Sequence, residues 1–206
     1  MNNDMNDTLN ILYGLFERVD DNEESNKGWK NLKLAKEIYS VIRDLPLRIE
    51  GELTPYAHIC FIDYILTHSQ IEDMPRFALE AYRHALPLFD EIREDDIELE
   101  LLSEYEVSRE DILEKIAYLE DYIDPEVTVE EFCDKYECLK FDDVERSEKW
   151  EEIIYSVEKV CGEQMDGDLQ GMGFCHEYWK LKADVLKQFG IEWKNPAQCN
   201  PNCLFD

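Results

Sequence analysis

The residues whose spacing comes nearest to a site are Asp166, Asp168, Gln170, Gly171 and Glu177. They fall at positions 1, 3, 5, 6 and 12 of a calcium-loop pattern, which needs alternating oxygen ligands, a glycine at the sharp turn and a distal bidentate carboxylate. Three features depart from it. Gln170 stands where a shorter oxygen ligand is usual, Gly173 replaces a branched aliphatic residue at position 8, and no second loop is present to pair with it. Gly162, Gly167, Gly171 and Gly173 make up half of the eight glycines, so the segment reads as a glycine-rich connector between two helices before it reads as a cation site. A second set, Cys175, His176, Cys199 and Cys203, has zinc-ligating residue types. It lacks a CxxC pair, and neighbouring side chains on a helix point apart, so unligated thiols and no cofactor are expected.

Catalytic constellations are equally sparse. The chain has no Walker loop, GxGxxG, GxSxG or HExxH motif. His58 and Asp63 share the most apolar stretch but lie five residues apart, in different sectors of a helix, so they make no acid–base pair. A buried Asp63 should instead be hydrogen-bonded to a neighbouring helix. Abundant Asp and Glu create carboxylate pairs by chance, so spacing nominates no general acid or base. The expectation is a protein that is not an enzyme.

The strongest signal is charge. The 206 residues carry 49 acidic and 21 basic side chains, net −28. Residues 90–152 hold 26 acids and 7 bases, net −19, against −6 for residues 1–89 and −3 for 153–206. Such a balance excludes a general nucleic-acid binder that neutralises phosphates with Lys and Arg, and disfavours an anionic membrane surface. Glu94, Asp95, Asp96, Glu98, Glu100, Glu104, Glu106, Glu110 and Asp111 form the densest acidic segment. These are the candidate partner-binding residues, facing a basic protein partner whose approach they would steer. The plain alternative is a solvated face that serves solubility. No apolar run reaches membrane-spanning length and no basic-then-apolar leader opens the sequence, so a cytoplasmic protein is expected. Seven cysteines, an odd number, fit reduced thiols, with Cys60 and Cys161 on apolar stripes.

The elements that would carry these residues are helices. Apolar positions recur with a period of 3.6 along the whole chain. Leu9, Leu12, Phe16 and Val19 form one stripe, ending in the polar residues 20–28; Trp29, Leu32, Ala35, Tyr39 and Ile42 form another. Thr54-Pro55 is a helix start, and Asp73 with Pro75 begins a further helix that Pro87 kinks or splits. Ser108 with Asp111 and Thr128 with Glu131 have capping-box spacing. Ile97 with Leu101, Ile112 through Ile123, Phe132 with Tyr136, Trp150 through Cys161, and Phe174 through Phe189 complete about eight helices, Gly190 serving as the last C-cap. The segment Ala78-x3-Tyr82-x2-Ala85, echoed by Ala35-x3-Tyr39-x2-Ile42, resembles the second helix of a tetratricopeptide repeat. The two lie 43 residues apart rather than the repeat's period of about 34, and the first-helix signature is missing.

The expected fold is therefore all-α, an irregular multi-helix bundle, with stacked helix hairpins as the alternative. One helical domain is expected over residues 1–206, with the acidic middle at 90–152. The tail, 191–206, should pack on it through Trp193, Leu204 and Phe205, or else dock into a partner. The function expected is an acidic binding protein, immunity- or antitoxin-like or a DNA mimic, that occludes a basic partner. A peptide-binding helical scaffold and an unrecognised helical enzyme are the alternatives.

Overall fold

A computed structural model of the chain describes residues 2–49, 53–94, 96, 106–165 and 174–205. The fold is all-α, an irregular multi-helix bundle with nine α-helices among the described residues. They are α1 (Asn2–Glu24), α2 (Asn31–Asp44), α3 (Pro55–Thr67), α4 (Pro75–Ala85), α5 (Arg109–Ile123), α6 (Val129–Tyr136), α7 (Glu148–Gln164), α8 (Phe174–Gln188) and α9 (Pro196–Cys199). The segment expected around Ile97 and Leu101 and the glycine-rich stretch 166–173 lie outside the described residues. Two compact units divide the chain, Met1–Glu120 and Asp121–Asp206. The acidic middle falls in both: residues 90–120 hold 13 acids and 3 bases, net −10, and residues 121–152 hold 13 acids and 4 bases, net −9.

The first unit is built on α3. Pro55 supplies a helix-ready φ at the first turn, and the Thr54 side chain accepts a hydrogen bond from the Ala57 N–H at 3.2 Å. Ile59, Cys60, Ile62, Ile65 and Leu66 are all buried, so this helix is apolar around its circumference, as a central helix must be. α1 contributes Leu9, Leu12, Leu15 and Val19 to the core, α2 contributes Leu32, Ala35, Ile38 and Ile42, and α4 contributes Ala78, Ala81, Tyr82 and Ala85. α1 continues to Glu24, through the first five residues of the stretch expected to end it, because polar residues on an outward face do not stop a helix. Pro87 does split its helix: α4 ends at Ala85 and a 3-10 segment follows over Leu86–Glu91. The start of α4 is less conventional, since Met74 rather than Asp73 precedes Pro75 and makes no side-chain cap.

The second unit is assembled around Tyr122, Phe132, Trp150, Ile154, Val157, Cys161, Val185 and Leu186, all buried. Tyr122 stacks on Phe141 with ring centroids 5.0 Å apart, and Phe132 meets both Tyr122 and Phe141 edge-on. The C-terminal tail belongs to this unit. Ile191 is buried, Trp193 lies 6.2 Å from Trp150 and donates its indole N–H to Glu145 at 2.8 Å, and Phe205 meets Trp179 edge-on. The Asn200 amide clasps the backbone of Lys140, donating to its carbonyl at 2.6 Å and accepting from its N–H at 2.9 Å. Leu204, by contrast, is fully exposed. Truncation after Gly190 is expected to unfold the second unit, read as loss of near-ultraviolet circular dichroism; an unchanged spectrum would mean that the tail is not part of its core.

Candidate functional site

The described part of the acidic segment is fixed at both of its ends. Asp96 is buried and accepts from the Arg48 guanidinium at 2.6 Å and from the Arg93 N–H at 2.7 Å. Burial pushes its carboxyl up, but these hydrogen bonds outweigh that and hold it below the ordinary range. Further along, the Val107 N–H donates to the Tyr56 hydroxyl at 3.2 Å, tying the entry to α5 onto α3. Ser108 and Asp111 then close a reciprocal cap: the Asp111 carboxylate accepts from the Ser108 N–H and hydroxyl, and the Ser108 hydroxyl from the Asp111 N–H. Arg109 pairs with Asp90 and lies over the Phe89 ring.

The nine candidate residues therefore separate. Asp96 faces inward with Arg48, and Asp111 is exposed but committed to a helix start. Glu94, Glu106 and Glu110 are exposed. Asp95, Glu98, Glu100 and Glu104 lie outside the described residues. The structure adds what the charge count passed over. Glu110, Leu113, Glu114 and Ala117 recur at helical spacing on one exposed face of α5, with Leu113 45% exposed between carboxylates. An apolar side chain outside the apolar stripe was the only available clue.

Chemistry elsewhere is accounted for by pairing. Asp63, buried on α3, accepts from the Tyr82 hydroxyl of α4 at 3.0 Å and pairs with the Lys115 ammonium of α5. It is thus hydrogen-bonded to neighbouring helices. His58 donates its Nε2 proton to the Pro46 carbonyl at 3.2 Å rather than meeting Asp63, and burial pushes its pKa down. His84 shares a hydrogen bond with the Tyr39 hydroxyl at 3.2 Å, and burial lowers its pKa as well. In the second unit Glu158 pairs with Lys182 at 2.6 Å and accepts from the Tyr178 hydroxyl. The Lys182 ammonium sits 5.0 Å from the Trp150 ring centre and 5.5 Å from that of Trp193, a cation enclosed by aromatic faces. Cys60 and Cys161 are buried, and burial pushes their thiols up to about 12 and about 11. Among the described residues no group of three His, Cys, Asp or Glu side chains could hold a metal ion. Glu177, the distal member of the calcium pattern, is exposed on α8. Among those residues, too, no helix is long and apolar enough to cross a membrane.

Comparison with protein-family models, with curated proteins and with solved structures gives no match to this chain.

Two outcomes follow for the buried charges. Asp63→Ala should cost about 2–3 kcal/mol in urea unfolding, the lower range for a broken buried pair because Lys115 is itself a third exposed. The histidines give a pH signature with a definite sign. A folded-state pKa held below the unfolded value means that the unfolded chain takes up the proton first, so stability falls as pH drops below about 6.5. Urea unfolding between pH 7.5 and 5.5 should therefore show a shallower loss in His58→Gln than in the parent chain, and equal slopes would refute the assignment.

Proposed function

We propose that this protein binds a basic protein partner through the acidic face of α5, together with the exposed Glu94 and Glu106 that precede it, and acts by occluding the partner's cationic surface. The observation that carries the proposal is Leu113, exposed on the same face as Glu110 and Glu114. Interfaces combine an apolar centre with a polar rim, and an acidic rim selects a partner with Lys or Arg around an apolar pocket. The net charge supports it further. A field of this sign speeds encounter with a cationic protein, and opposes nucleic acid or an anionic bilayer as the partner. Asp63 and Glu158 are buried and paired internally with Lys115 and Lys182, which leaves the exposed glutamates of α5 among the carboxylates that a partner can reach. An immunity or antitoxin-like protein covering a toxin's cationic active surface is one form of this mechanism. A DNA mimic, whose carboxylates stand in for phosphates, is another.

The test leaves the structural carboxylates alone. Glu94, Glu106, Glu110 and Glu114 are replaced by Gln together, while Asp96 and Asp111 are kept. Both proteins are immobilised, loaded with lysate at low salt and eluted with a salt gradient. A basic protein held by the parent chain and weakened about tenfold or more in the variant, at unchanged helicity, is the expected result. Exposed charges are screened beyond about 8–10 Å at 0.1–0.15 M salt, so the parent's retention must fall with ionic strength. Equal retention of the same partner by both proteins would overturn the proposal. Release of the partner by duplex DNA would single out the mimic form.

A further inference from the structure

Two helices of the second unit end in the same way. α8 closes with Gly190 in the left-handed region (φ 74°) and the Ile191 N–H returning to the Leu186 carbonyl at 3.0 Å. α6 closes with Glu137 in that region (φ 52°) and the Cys138 N–H returning to the Cys133 carbonyl at 3.2 Å. This is the Schellman closure, in which the side chain three residues before the helix end meets the one two residues after it, ordinarily as an apolar contact. α8 follows the rule with Leu186 and Ile191, both buried. α6 puts a cysteine at each position.

The Cys133 carbonyl accepts the Cys138 N–H, which brings the two residues together, and their thiols are unlike. Cys133 is buried and its Sγ also donates to the Leu139 carbonyl at 3.4 Å; Cys138 is exposed. From this geometry we infer that Cys133 and Cys138 are a redox-active dithiol, a modification site that hydroperoxides close to a disulfide. The exposed Cys138 sulfur attacks a peroxide oxygen, so that an S–O bond forms and the O–O bond breaks; the departing hydroxide takes up the proton that the thiol loses and leaves as water, giving a sulfenic acid. The Cys133 sulfur then attacks the Cys138 sulfur. The S–S bond forms, the S–O bond breaks, and the hydroxyl departs as a second water with the Cys133 proton. Two thiols and one hydrogen peroxide give one disulfide and two waters; the sulfur pair loses two electrons and the peroxide gains them. Cys138 is exposed and Cys133 buried, so Cys138 meets the oxidant first. Lys140, whose backbone Asn200 clasps, lies two residues after Cys138. Oxidation at α6 therefore acts at the seat of the C-terminal tail.

The test treats the full-length protein with hydrogen peroxide, blocks remaining thiols with N-ethylmaleimide under denaturing conditions and digests with trypsin. Cleavage after Lys135 separates the two cysteines, so the peptides ending at Lys135 and Lys140 stay joined only through the new bond. The expected result is that this joined pair forms ahead of every other disulfide, is split by dithiothreitol and is lost in Cys138→Ser. That variant changes an exposed residue, and its helicity is checked alongside. Accumulation of Cys138 sulfinic acid with Cys133 still free to react with N-ethylmaleimide would overturn the inference. So would a Cys199–Cys203 disulfide that forms as fast.

Discussion

A chain with 49 carboxylates and 21 basic side chains repels itself, and each of its helices forms against that field. The carboxylates themselves supply much of the remedy. Asp111, Glu131 and Glu145 sit in the first turns of helical segments and Asp142 caps one, where unsatisfied backbone N–H groups and the positive end of the helix dipole both favour a negative charge. Hydrogen bonds from Ser108 hold Asp111 below the ordinary carboxylate range, and those from Thr128 do the same for Glu131. Asp63, Asp96 and Glu158 are buried, each beside a cation. Acidity that looks like excess in the composition is therefore partly internal structure, and the surface charge available to a partner is smaller than the net value suggests.

The two units solve the packing problem differently. The first surrounds one helix, α3, that is apolar on every side, and the polar groups it buries are matched by neighbouring elements: Asp63 by Tyr82 and Lys115, His58 by the Pro46 carbonyl. The second depends on aromatic rings. Tyr122, Phe132 and Phe141 form one cluster, and Trp150 with Trp193 forms another around the Lys182 ammonium. A buried ion pair such as Glu158–Lys182 contributes little net stability, because desolvation cancels most of the attraction. What it supplies is a direct link between α7, which carries Glu158, and α8, which carries Lys182.

Helix positions were legible in the sequence because period and capping chemistry agreed. Thr54-Pro55, Ser108 with Asp111, and Thr128 with Glu131 all cap as their residue types require. The spacing of Asp142 with Glu145 and of Asn195 with Gln198 carries the same signal, and both form reciprocal caps, yet neither is followed by an apolar run to draw attention to it. The candidate surface was legible only in part. Charge density pointed to residues 94–111 without distinguishing Glu110, which faces solvent, from Asp96, whose partner Arg48 lies 48 residues away. Long-range pairing of that kind leaves no local pattern. Leu113 was invisible for a related reason: one apolar residue off the stripe looks like noise until its exposure is known.

The enclosure of Lys182 has an optical consequence. Trp150 and Trp193 lie 6.2 Å apart at a tilt of 40°, close enough for their transition dipoles to couple. Trp150, Trp179 and Trp193 all belong to the second unit, whereas Trp29 is alone in the first. Indole emission and the near-ultraviolet signal thus weigh heavily toward one half of the chain. The other half, with Tyr39, Tyr56, Tyr64 and Tyr82 around its core, has Trp29 as its one tryptophan, so a change in indole emission weighs the second unit more than the first without any added label.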